Sequence, residues 1–180
     1  MIGVDASADR LRETSRRLAA KPSRGGLPNA HLGVMALEQA PGALAGLASS
    51  VSVLLPWGSL LRAIACADPE GLTRLRGLAR DGADLRIVFG HGDADATARR
   101  DHGLPDLDDD DALADLVAGY RRVGLAIDAR PIDRREVGEL DTTWAKKLAF
   151  SGNVRRFVEL RGRAIEAPGA QGTGSPDPNA

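Results

Sequence analysis

From Met1 to Arg163 the chain alternates short apolar, often β-branched runs with Ala- and Leu-rich amphipathic segments; only the last two apolar runs lack a clear helix between them. This alternation constrains the fold more than any other feature. Parallel strands need long crossovers, usually helical, so the expected product is a mainly parallel sheet with helices on both faces. A final strand that returns without a full crossover adds one antiparallel neighbour.

The expected strands are residues 1–5, 31–35, 50–55, 83–89, 125–132 and 153–163. Helices are expected over 8–20, 59–66, 69–80 and 109–123, with a weak one over 39–48 broken near Pro41-Gly42. Asp68-Pro69 reads as a cap followed by proline at the first helical position. Residues 21–29, 90–108 and 133–153 read as connections from their Gly, Pro and charge content. The tail 167–180 is Pro-, Gly- and polar-rich and is expected to be disordered, leaving one domain over 1–166.

A net charge of −1 advertises no global basic field, although it permits local basic patches. The single cysteine, Cys66, lies in the apolar stretch LLRAIACA and is expected to be a small core residue. One cysteine allows no disulfide within the chain and suits a reducing compartment. No run approaches the roughly 20 apolar residues of a membrane span, and the N-terminus has no signal-peptide pattern. The expected location is therefore the cytoplasm, without membrane association. No metal site is expected. The acidic run Asp106 to Asp111 lacks the spacing of a calcium loop and reads as a helix start, and His31, His91 and His102 show no ligand spacing.

In open sheets of this type ligands bind beyond the carboxyl ends of the strands. Asp5 stands at such an end, where an acidic residue either accepts hydrogen bonds from ribose hydroxyls or simply caps the next helix. Trp57 follows another strand end in the corner LLPWGS. It is a core residue, an interface anchor or a stacking platform for a base, and the flanking Pro56 and Gly58 favour a projecting platform. Trp144 lies in TTWAKKL, followed by two of the chain's three lysines. It is a second platform beside phosphate-binding cations, or a loop anchor beside a solvated charge pair. Arg16, Arg17, Lys21, Arg24, Arg155 and Arg156 are either solvated surface or a basic rim.

The stretches LPNAHLGVMALEQAP, LLPWGSLLR and TTWAKKL, in this order and spacing, resemble the aminoglycoside-resistance 16S rRNA adenine-N1 methyltransferases of the kanamycin–apramycin type. The resemblance runs from residue 1 to about residue 165. It implies a class I S-adenosylmethionine-dependent methyltransferase, an α/β Rossmann-like sheet, acting as a monomer on 16S rRNA within the 30S ribosomal subunit. It also implies that Trp57 and Trp144 stack the flipped target adenine, adenine 1408, and that Thr143 helps set the second tryptophan and the base. Asp5 matches the residue that holds the cofactor's ribose. Leu37 and Glu38 fall in its adenine pocket, with Leu55 and Pro56 nearby. Lys21, Arg24, Lys146, Lys147 and Arg156 match basic positions at rRNA phosphates.

The sequence departs from the family pattern at its start. The family's first strand, Gly-rich loop and first helix have no counterpart here, so the chain is expected to be an N-terminally truncated member. Without that central strand, the strands ending at Asp5 and Leu55 must pair directly or leave the sheet exposed at its centre. A start codon assigned too late, a gene fragment and a degenerate paralogue all fit. The functional alternatives are a non-catalytic rRNA-binding remnant and a small-molecule methyltransferase.

Overall fold

A computed structural model describes residues 1–92, 103–140, 142–150 and 155–166. They fall into two compact units, Met1–Ala43 and Leu44–Ala180.

The first unit contains β1 (Ile2–Asp5), α1 (Ala8–Leu18) and β2 (His31–Val34). The strands are parallel, with Ile2 opposite His31 and Asp5 opposite Val34. Helix α1 carries Asp9 in its first turn and Arg16 and Arg17 in its last, each sign at the favourable end of the helix dipole. Beyond it the chain makes a 3₁₀ turn at Pro22–Arg24. Gly26 then passes so close to the Ala20 carbonyl that a Cβ would collide with it. The weak helix expected over 39–48 is not formed. Two 3₁₀ turns, Leu37–Gln39 and Gly42–Leu44, stand there instead. Pro41 withdraws a backbone donor, and Gly42 raises the entropy cost of a helix.

The second unit contains β3 (Ala48–Leu54), α2 (Gly58–Ala65), α3 (Pro69–Leu78), β4 (Ala79–Gly92), α4 (Asp110–Arg122), β5 (Leu125–Ile132), α5 (Arg134–Gly138), α6 (Thr143–Ala149) and β6 (Arg155–Ala164). The sheet order is β3-β4-β6-β5. β3 and β4 are parallel, while β6 runs antiparallel to both its neighbours, as the missing crossover predicts. Among the described residues β1 is hydrogen-bonded only to β2, and β3 has only β4 beside it. The strands ending at Asp5 and Leu54 therefore do not pair, and Ile2 and Val4 of β1 are exposed.

Alternation along the strands builds the core. Leu85, Ile87 and Phe89 of β4, Val158 and Leu160 of β6, and Leu125 and Ile127 of β5 are buried. So are Leu61 and Ile64 of α2, Leu72 and Leu75 of α3, and Leu113, Leu116 and Tyr120 of α4. The Tyr120 hydroxyl donates to the Ile64 carbonyl at 3.2 Å, tying α4 to α2, and burial pushes its phenol pKa upward. The intervening strand positions change character along the sheet. Toward the carboxyl end of β4, Val88 joins Leu55, Ile132, Phe157 and the buried residues of α5 and α6 in an apolar cluster. At the other end stand Asp84, Arg86, Arg161 and Arg163, with Arg86 directly opposite Arg161.

The connection expected over 133–153 contains α5 and α6. Asp133 closes a capping box with Glu136, and the Thr142 hydroxyl caps α6 by accepting from the Ala145 N–H at 3.0 Å. Both helices are too short to show a clear apolar period in sequence. The acidic run behaves as expected: Asp109 caps α4 and Asp110 and Asp111 fill its first turn. Cys66 corrects its expectation, because it caps the end of α2 and is exposed. Its thiol points toward the Gly103 carbonyl, 3.5 Å away. His102, the middle of the connection after β4 and the tail 167–180 lie outside the described residues.

Candidate functional site

The corner between β3 and α2 is made by two left-handed residues three positions apart. Leu55 has φ 53 and Gly58 has φ 61, with Trp57 extended between them as the residue before α2. A left-handed leucine costs about 1–2 kcal/mol. It is held by burial of its side chain in the cluster around Val88, and by donation from its N–H to the Val88 carbonyl at 2.7 Å. The effect is to turn the chain sharply after β3, bury Leu55 inward and send Trp57 outward, where it remains 39% exposed. Trp144 reaches the same place from α6. Ala145 and Leu148 bury one side of that short helix in the same cluster, which leaves Trp144, Lys146 and Lys147 exposed on the other.

The two indole rings meet with centroids 5.7 Å apart and planes 63° apart, an edge-to-face contact. A base held between two parallel faces needs about 7 Å between them, twice the ~3.4 Å stacking distance. Accepting a base therefore requires the rings to turn from edge contact to parallel faces. The Arg155 guanidinium lies over the Trp57 ring, 5.6 Å from its centroid, within cation–π range. Arg155 opens β6 opposite Gly92. Two residues earlier on β4, Gly90 lets the backbones approach; a Cβ there would strike the Arg156 carbonyl and the Phe157 ring. Beside this corner is a cleft of about 290 Å³ lined by Asp108, Asp133, Arg134, Arg155, Arg156 and Phe157 among others. Arg156 is engaged across it by Asp108, with Nε 2.6 Å from Oδ2.

The remaining candidates fall as follows. In the first unit, Asp5 ends β1 half-buried, and its Oδ1 accepts the Ser7 N–H at 2.8 Å. Leu37 and Glu38 stand in the 3₁₀ turn after β2, half-buried and exposed respectively. Lys21 and Arg24 are exposed around the turn after α1. In the second unit, Pro56 is half-buried beside Trp57. Thr143 is the first residue of α6, and its side chain lies outside the described part. The structure thus brings together Trp57, Trp144 and Arg155. Nothing in the sequence spacing showed that Arg155, rather than its neighbour Arg156, covers Trp57. The positive φ of Leu55 also had no sequence signal, because leucine is not a residue that marks such a turn.

A second polar constellation lies lower on the sheet. Glu159 is 1% exposed and accepts from Arg86 Nε at 2.9 Å, Arg130 Nη2 at 2.6 Å and Arg161 Nε at 2.9 Å. Burial pushes its carboxyl pKa up, but the hydrogen bonds from Arg161, Arg130 and Arg86 outweigh burial and hold it below the ordinary range. This is a structural tie between three strands. No group of three or more metal-ligating side chains occurs among the described residues, and no described helix is long and apolar enough to cross a membrane.

Residues 1–163 match the family model described as NpmA, 16S rRNA (adenine(1408)-N(1))-methyltransferase. The chain belongs to this methyltransferase family. The 16S rRNA (adenine(1408)-N(1))-methyltransferase of Escherichia coli is 32% identical over 164 residues, covering 89% of this chain and 74% of that protein. A crystal structure of a variant of the enzyme of the same name from Catenulisporales acidiphilia, with cosubstrate SAM, superposes with a TM-score of 0.76 at 32% identity. That superposition covers 92% of this chain and 75% of the other. The aminoglycoside resistance methyltransferase NpmB1 matches with a TM-score of 0.69 at 36% identity, over 91% of this chain and 75% of its own. These likenesses bear out the α/β methyltransferase fold expected from the strand–helix alternation and the family resemblance.

Proposed function

We propose that this protein transfers a methyl group from S-adenosylmethionine to N1 of the decoding-site adenine, adenine 1408, of 16S rRNA, and so gives aminoglycoside resistance. The observation that carries this reading is the meeting of Trp57 and Trp144, brought from distant parts of the chain to one exposed corner, in a member of this family. Two large aromatics exposed in contact with each other are costly to leave in water, and they suit an unstacked base. Base–aromatic stacking is worth about 1–3 kcal/mol per base, which offsets the cost of extruding the nucleotide.

S-adenosylmethionine, when bound, supplies an electrophilic methyl group on a sulfonium. The residues present fit its nucleoside half. Asp5 bonds Ser7 through Oδ1 and has Oδ2 for ribose hydroxyls, and Leu37, Glu38, Leu55 and Pro56 are proposed to line or flank the adenine pocket. Trp57 and Trp144 hold the target base, with Thr143 assisting. Lys21, Arg24, Lys146, Lys147 and Arg156 contact rRNA phosphates, and Arg156 exchanges its bond to Asp108 for them. The target N1 carries its own lone pair and is unprotonated at neutral pH, so no general base is required. The protein's contribution is positioning, worth about 7–11 kcal/mol in favourable cases. Residues 1–166 act as one methyltransferase domain, as a monomer, on the 30S subunit in the cytoplasm, with 167–180 outside the domain.

The test is primer extension on 16S rRNA from bacterial cells producing the protein. A reverse-transcription stop at adenine 1408, with a raised aminoglycoside tolerance, is the expected result. An unchanged profile alongside confirmed production of folded protein overturns the reading.

A further inference from the structure

Methylation at N1 changes the charge of the base. The N1 lone pair forms the new N–CH₃ bond, the C–S bond breaks with its electrons going to sulfur, and no proton moves. The sulfonium becomes a neutral thioether, and neutral adenine becomes cationic 1-methyladenine. An aromatic clamp made only of Trp57 and Trp144 would hold that product more tightly than the substrate, because indole faces attract cations. The guanidinium 5.6 Å from the Trp57 centroid works against this.

We propose that Arg155 makes the base seat selective against its own product. The inference rests on the reading that Trp57 and Trp144 hold the target base. Its permanent charge already occupies the ring's cation-attracting field, and it repels a second cation stacked on Trp57 whichever face that cation takes. A neutral adenine feels neither penalty. Arg155 is thus a specificity residue acting on release of the product, distinct from the phosphate contacts proposed for Arg156 and the lysines.

The test compares adenosine with 1-methyladenosine, one neutral and one cationic and both without phosphate, binding to the full chain by ligand-observed NMR. In the wild-type protein both should bind, and Trp57→Ala should abolish both. Binding indifferent to Trp57→Ala overturns the reading that Trp57 seats the base. Arg155→Ala, or Arg155→Met, which keeps the aliphatic stem, should shift the preference toward 1-methyladenosine by about tenfold. Arg121→Ala, which removes an equal charge from the far end of α4, should leave the ratio unchanged. With Trp57-dependent binding in place, an unchanged ratio in both Arg155 variants overturns the inference, as does an equal shift in Arg121→Ala.

Discussion

The two units of this protein solve the problem of burial very differently. In Met1–Ala43 two four-residue strands and one mostly charged helix bury no hydrophobic side chain, and Ile2, Val4 and Val34 are at least half exposed. In the second unit a four-stranded sheet buries alternate residues against three helices, and its other face closes a smaller cluster under α5 and α6. A two-stranded sheet has too little area to support itself, whereas four strands with a covered face form an independent core. The functional side chains divide along the same line. Asp5, Leu37 and Glu38, proposed for the cofactor's ribose and adenine, lie in the weakly buried unit, whereas Leu55, Pro56 and the aromatic seat for the base belong to the well-packed one.

The sharpest break of this comparison is amide hydrogen exchange. Amides of β1 and β2 should exchange on the order of 10³-fold faster than those of β4 and β6, because opening them exposes almost no buried surface. Equal protection in both units would show that the first is as firmly held as the second. Next in size is Glu159→Ala, which removes a buried carboxylate bonded to three half-exposed arginines and should lower unfolding free energy by about 2–3 kcal/mol in denaturant melts. The sign of its pH dependence follows from a folded pKa held below the ordinary value of 4.5. The stabilisation from Glu159 is fully present above the unfolded pKa and is lost as pH falls through the lower folded value. A wild-type stability curve that rises on acidification through this range would contradict the assignment.

The functional division is tested by a pair of substitutions. Trp57→Ala or Trp144→Ala should lower rRNA methylation roughly 10- to 100-fold and leave S-adenosylmethionine affinity nearly intact. Asp5→Ala should do the converse, weakening the cofactor about tenfold, read by calorimetry, with little change in RNA binding. Equal loss of cofactor binding in the tryptophan variants would make those residues structural. The smallest effect expected is Tyr120→Phe, about 1 kcal/mol for one buried hydrogen bond to Ile64. It should raise exchange around α2 and α4 only.

Much of this was legible residue by residue. β5 runs over the residues its apolar pattern predicts, Leu125–Ile132, because it is bounded by Gly124 and the Asp133 cap. Trp57 reads as exposed because Pro56 and Gly58 bracket it. Trp144 reads as part of a loop but stands on a helix, since seven residues carry little periodicity and the capping Thr142 and the burial of Leu148 do the work. Cys66 reads as core because its neighbours are apolar, yet it falls where α2 ends and the chain turns outward.

By itself the sequence determined the succession of strands and helices, the single antiparallel return and the two tryptophans beside strand ends or cations. These follow from local rules of period, capping and turn chemistry, which act over a few residues. Only the tertiary structure decided that Trp57 and Trp144 touch, that Arg155 and not Arg156 lies over the indole, and that Glu159 is a buried hub for three arginines. Each depends on strand register and on the packing of α6 against the sheet. Contacts between residues far apart in the chain are set by how whole elements bury area, and no local pattern records them.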